Sequence, residues 1–134
     1  AAAMANNDIC PPSFAIASDI CAYRWVFNPY THNCFLPPAI KKPARIGLEK
    51  NSNRMCGLFG LSMHTSEQAS ENAYKHLQKS FKNINKTMGD HIAMGVIKSS
   101  SGVYSPPDNF EHIDVYEYAG NSFLNIFQVV KEIK

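Results

Sequence analysis

Apolar and polar residues alternate with a period of two in three stretches of this chain and with a helical period in one, which predicts several strands around a single long helix. His112-Ile-Asp-Val-Tyr-Glu-Tyr118 alternates most clearly, with Ile113 and Val115 on one side and His112, Asp114, Tyr116 and Tyr118 on the other. Glu117 falls in the apolar row at the end of that strand. Tyr23, Trp25 and Phe27 alternate with Ala22, Arg24 and Val26, so Arg24 is expected to point away from the aromatic row. In His91–Ile97, Ile92, Met94 and Val96 oppose a small-residue face that includes Ala93 and Gly95. Leu58 to Met63 predicts a further strand, and Val103-Tyr104 a short hairpin arm between turn-rich segments. Phe127–Ile133 reads as a final strand, although Phe123, Phe127, Val130 and Ile133 also fit a helix.

The helical pattern follows the Gly57-to-His64 stretch. Thr65 is the expected N-cap, forming a capping box with Gln68, and Glu67 places an acid in the first turn. Ala69, Ala73, Leu77 and Phe81 repeat every four residues as the buried stripe, with Tyr74 at its margin and Lys75, Lys79 and Lys82 opposite. Gly89 ends the region. The expected architecture is α+β: a mostly antiparallel sheet of five or six strands with one main amphipathic helix at about residues 66–82.

Length and composition add that one core suffices. A chain of 134 residues, 45% apolar and 18% charged, predicts a single domain over residues 10–134 behind a disordered remnant at 1–9. No apolar run approaches the length of a membrane span and no signal peptide is evident, which predicts a cytoplasmic protein without membrane attachment. The net charge of +2 is too small to argue for nucleic acid, yet the basic residues Lys41, Lys42, Arg45, Lys50 and Arg54 collect in one loop, residues 41–54. A solvated connector is the plainer reading of that loop and a phosphate-binding patch the sharper one.

Cys10, Cys21, Cys34 and Cys56 are too widely spaced for a metal knuckle. A zinc site from Cys21, His32, Cys34 and Cys56 is conceivable, but reduced thiols packing as small hydrophobes are expected, with no metal. A Cys34–His32 nucleophile pair lacks an evident third group to orient it.

Three pieces of the chain, the strand bearing Tyr23-Arg24, the segment Phe59-Gly-Leu-Ser-Met63 followed by a helix containing Asn72-Ala-Tyr74, and Phe110-Glu-His-Ile-Asp-Val-Tyr-Glu117, resemble the ADP-ribosyltransferase superfamily. The resemblance implies NAD+ as substrate, held in a cleft by Arg24, Ser62 and Tyr74, and transfer of ADP-ribose. Either Glu111 or Glu117 would be the catalytic carboxylate. Such an acid suits the chemistry, because cleavage of the nicotinamide–ribose bond develops positive charge that a nearby anion stabilises. Glu111 matches the family order better, whereas Glu117 is the better candidate for a perturbed carboxyl because of its apolar row.

Each of these residues has a structural role to set beside the functional one. Arg24 can pair across strands with Asp114 or Glu117, and Glu117 can end a strand in water. The alternative function is a noncatalytic interaction module, such as an immunity or accessory protein of a bacterial system, docking a protein partner through Trp25, Tyr30, Tyr116 and Tyr118.

Overall fold

The computed structural model describes residues 15–36, 60–118 and 123–133. They form β1 (Ile20–Val26), a 3-10 turn (His32–Phe35), β2 (Leu61–His64), α1 (Glu67–Gln78), a short α2 (Ile84–Thr87), β3 (His91–Ile97), β4 (Gly102–Tyr104), β5 (His112–Glu117) and β6 (Phe127–Glu132). The six strands make one sheet in the order β4-β5-β2-β1-β3-β6, and every pairing is antiparallel. The fold is α+β, as the alternation of periods predicts. The basic loop 41–54, Cys10, Cys56, Leu58, Phe59 and the segment 1–9 lie outside the described residues.

Alternation along each strand divides the sheet into two apolar faces. Ala22, Val26, Leu61, Met63, Ala93, Ile97, Ile113, Val115 and Phe127 build the larger core with Cys34, Phe35 and Phe123. The other face carries Tyr23, Trp25 and Ile92 against Tyr74, Leu77, Ile84 and Ile133, so α1 and α2 cover part of it. β1 serves both layers, pairing with β3 over seven residues from Ile20↔Ile97 to Val26↔His91. The small face of β3 has a steric cause: a Cβ at Gly95 would approach the Ile126 carbonyl to 2.8 Å and the Phe127 ring to 2.9 Å. β6 is an edge strand, and a register shift opposite Ile92/Ala93 interrupts its ladder.

The helix departs from expectation at both ends. Its N-cap is Ser66, in extended conformation, whose hydroxyl accepts the Ala69 amide at 3.1 Å. Thr65 is not the cap because its hydroxyl donates to Glu111 Oε1 at 2.9 Å, a tertiary partner that local sequence does not reveal. Gln68 binds Asn72 rather than reaching back, so there is no capping box. At the other end α1 stops at Gln78, the amides of Ser80 and Phe81 both bond to the Leu77 carbonyl, and Phe81 stands 57% exposed. The chain turns there so that Ile84, fully buried, fills the space beneath the helix that Phe81 was expected to fill. The buried face is therefore Ala69, Ser70 and Tyr74, with Ala73 and Leu77 beside it.

Lys75 pairs with Glu71 along the helix at 3.2 Å, and Glu71 also receives Lys131 from β6 at 2.5 Å, which ties α1 to the sheet edge. Among the described residues no helix is long and apolar enough to cross a membrane.

Candidate active site

β2 and β5 lie side by side with Ser62 opposite Asp114 and His64 opposite His112. Because Leu61, Met63, Ile113 and Val115 fill the larger core, alternation turns Ser62, His64, His112 and Asp114 together onto the other face. Diagonal neighbours across an antiparallel pair are within reach of long side chains. Ser62 Oγ lies 2.7 Å from His112 Nε2. Ser62 is exposed and the His112 side chain is 32% exposed, so the pair is open to solvent.

A carboxylate stands at each nitrogen of that imidazole. Asp108 Oδ2 is 3.9 Å from Nδ1, and Asp114 Oδ1 is 3.8 Å from Nε2. Asp108 is held by the loop that leads into β5: its Oδ1 accepts the amides of Phe110 at 2.8 Å and His112 at 2.9 Å, and its own amide donates to the His112 carbonyl. Burial raises the Asp108 carboxyl, but those two amides and the nearby imidazoles outweigh it and leave its pKa lowered. Asp114 is shifted the other way, raised by burial with repulsion from Asp108 adding to it and His112 opposing. Asp108 is thus the more readily ionised partner of His112.

His64 closes the cluster from beneath α1. Its ring is only 5% exposed, stacks on Trp25 with centroids 5.9 Å apart and meets His112 edge-on at 5.5 Å. Burial, reinforced by His112, pushes its pKa down to about 4, so it is neutral near pH 7. Trp25 is fixed in turn by donating Nε1–H to the Ser70 carbonyl at 3.1 Å and by edge contact with Tyr74.

The residues singled out from sequence are distributed differently. Arg24 points away from Tyr23 and Trp25, as its position in the alternation predicts, and therefore lies on the face opposite the Ser62 hydroxyl. Its Nε donates to the Cys34 carbonyl and its Nη1 to the Ser62 carbonyl, both at 2.7 Å. Desolvation pushes its pKa down to about 10, which leaves it charged. The partners found for it are backbone carbonyls, not the cross-strand acids considered from sequence. Tyr74 is 1% exposed and donates its hydroxyl to the Gly89 carbonyl at 2.7 Å. Glu117 shares the side of Ile113 and Val115 and accepts the Phe123 amide at 3.0 Å. Glu111 accepts hydroxyls from Thr65 and Ser66 at the start of α1. Of this set, Ser62 is the residue whose side chain bonds the His112 imidazole, while Arg24 and Glu111 reach the cluster through the backbone carbonyls of Ser62 and Asp108.

The four aromatics expected on the surface are mostly engaged inside. Tyr116 is 1% exposed, Trp25 is half-buried beside α1, and the half-buried Tyr30 donates its hydroxyl to the Phe127 carbonyl. Tyr118 alone of the four is exposed. Large rings supply more packing area than this small sheet can leave outside.

In the sequence, His112 opens a strand and Asp108 lies in the turn-rich Pro106-Pro107-Asp108-Asn109 segment before it. The legible signal was Asp108 four residues before His112, with an Asx side chain able to bind amides ahead of it in the chain. Nothing local indicates that β5 pairs with β2. Among the described residues no group of three or more His, Cys, Asp or Glu side chains is placed to hold a metal ion, and Cys21 and Cys34 are free thiols. No protein-family model, curated protein or solved structure matches the chain, so the chemistry of this cluster has to be argued from its own atoms.

Proposed function

We propose that the chain is a small hydrolase or acyl-transfer enzyme with Ser62 as nucleophile, His112 as general base and Asp108 as the carboxylate that orients the imidazole. The observation that carries this reading is the 2.7 Å contact between the exposed Ser62 Oγ and His112 Nε2, with a carboxylate at Nδ1. A serine hydroxyl is a weak nucleophile unless an adjacent base accepts its proton, and a base needs a third group to hold the right tautomer. An ionised Asp108 favours the proton on Nδ1, leaving Nε2 free to accept.

In the reaction so assigned, Oγ attacks an ester carbonyl carbon while its proton passes to Nε2. The imidazolium returns that proton to the departing alcohol. Water then attacks the acyl-serine with His112 again as base, releasing the acid and restoring the Ser62 hydroxyl. The 3.9 Å separation at Asp108 is longer than a hydrogen bond, so Asp108 acts on Nδ1 through its charge.

The test is labelling with a fluorophosphonate ester, followed by peptide mapping. Covalent adduct on Ser62, abolished by Ser62→Ala and slowed by about 10²–10⁴-fold in His112→Gln, is the expected result. Absence of adduct on folded wild-type protein overturns the proposal.

A noncatalytic interaction module is the second reading, favoured by Phe110, which is 76% exposed at the end of the turn braced by Asp108. The NAD+ reading from the ADP-ribosyltransferase resemblance has its own measurement. A ligand that binds only the folded chain must raise its unfolding temperature, so a shift at millimolar NAD+ would favour that reading over hydrolysis.

A further inference from the structure

Glu111 is, glycine aside, the one described residue with a positive φ, at 60°. A long, unbranched acidic side chain gains nothing from that conformation, and a strained backbone persists only where its surroundings impose it. The surroundings here are a set of bonds on one residue. The Glu111 carbonyl accepts the Thr65 amide at 3.0 Å, its Oε1 accepts the Thr65 hydroxyl at 2.9 Å, and its Oε2 accepts the Ser66 hydroxyl at 3.4 Å. Its own amide donates to the Asp108 carbonyl at 3.0 Å.

These bonds join two pieces of chain that each carry part of the cluster. Thr65 follows directly on β2, which bears Ser62 and His64, and Ser66 caps α1. Glu111 lies between Asp108 and His112, and the left-handed turn at Glu111 coincides with the geometry in which Asp108 Oδ1 receives the His112 amide. The carboxylate also sits at the positive end of α1, where an anion is favoured.

We propose that Glu111 is a positioning residue: a clasp that holds the Asp108–His112 turn against the end of β2 and so sets the distance between His112 and Ser62. It touches no reacting atom. This assignment rests on the Ser62 and His112 reading above, and its consequence is that imidazole geometry depends on a side chain outside the cluster.

Glu111→Gly separates clasp from strain, since glycine adopts the same φ without steric cost while losing the carboxylate. Thr65→Val removes the better-placed hydroxyl from the opposite side and leaves Glu111 intact, which serves if the glycine variant does not fold. The readout is the tautomer and titration of His112 followed by nitrogen-15 NMR, together with the rate of fluorophosphonate labelling at Ser62. Glu111→Gly and Thr65→Val are expected to shift the His112 titration and to slow labelling at least tenfold, and Glu111→Gln, which keeps one acceptor oxygen, is expected to retain most of the rate. An unchanged His112 titration in the folded variants overturns the clasp. If wild-type Ser62 is not labelled at all, the hydrolase reading fails, and the NMR titration still decides whether Glu111 holds His112 in place.

Discussion

The ring of His64 meets the ring of His112 edge-on across β2 and β5, 5.5 Å between centroids, with His64 buried and His112 partly open to solvent. Burial disfavours a charge on the His64 ring, and the neighbouring imidazole disfavours it further. The pKa of His64 accordingly falls from 6.5 to about 4. In the unfolded chain the same group takes a proton below about pH 6.5. Stability is therefore unaffected above that value and is lost progressively as pH falls from 6.5 towards 4, because the unfolded state binds more protons in that interval. The full loss is about 3 kcal/mol, the fall from 6.5 to about 4 taken at about 1.4 kcal/mol per pH unit. His64→Phe keeps a ring against Trp25 and should flatten that branch. Urea midpoints measured from pH 7 to pH 4 on both proteins check this, and parallel curves would refute it. Asp114 works in the opposite sense, since its raised carboxyl relieves strain on protonation, and the comparison between variants at each pH cancels its contribution.

Arg24 should be essential to stability rather than to chemistry. Its guanidinium satisfies two carbonyls at different positions of the fold, Cys34 in the 3-10 turn and Ser62 in β2. Hydrogen bonds from a charged donor contribute about 1.5–3 kcal/mol each, and unpaired carbonyls add a desolvation cost. Arg24→Ala is expected to lower stability by about 3–6 kcal/mol. Arg24→Lys should restore little, because an ammonium cannot span two acceptors in the fixed plane of a guanidinium. Chemical denaturation of both variants gives the measurement, and a wild-type midpoint in the lysine variant would contradict it.

Ser70 offers the reverse case. It is fully buried on α1, and among the described residues its hydroxyl has no hydrogen-bond partner, although its carbonyl accepts Trp25 Nε1–H. A buried hydroxyl without a partner costs about 1–3 kcal/mol, and alanine is the better helix former. Ser70→Ala is expected to raise the unfolding free energy by about 1 kcal/mol. A loss of stability on thermal denaturation would mean that the hydroxyl has a role in packing that its missing partner conceals.

Gly89 connects α2 to β3 at φ 135°, and a Cβ there would come within 2.7 Å of the Val26 carbonyl oxygen and 2.8 Å of its nitrogen. Its carbonyl also receives the Tyr74 hydroxyl, so the backbone cannot move away freely. Gly89→Ala should cost about 3 kcal/mol or more, combining a conformation closed to other residues with contact against immovable backbone. A thermal unfolding curve coincident with wild type would show that this junction yields.

Much of the fold is legible in local pattern. Ile113 and Val115 on one side of β5, the aromatic row of β1 and the small face of β3 all follow from a backbone that sends successive side chains to opposite faces. Arg24 pointing away from Tyr23 and Trp25 is read from the same rule. Phe127–Ile133 fitted both periods, and pairing with β3 made it a strand. The cap and the end of α1 depart from local pattern for a common reason: Thr65 is taken by Glu111, 46 residues away, and it is Ile84 rather than Phe81 that packs in the cluster with Tyr74. Local preference is a fraction of a kcal/mol per residue, and one tertiary contact outweighs it.

By itself, then, the sequence determined which segments are extended, which is helical, and which side chains share a face, because those properties depend on neighbours two to four positions apart. Only the tertiary structure decided that β2 lies between β5 and β1. That adjacency brings Ser62 to His112 over 50 residues of chain and turns the Arg24 guanidinium to the other side of the sheet from the Ser62 hydroxyl. The physical reason is that strand order is chosen by the burial of whole faces, a sum over the entire core, whereas each strand alone is compatible with several neighbours.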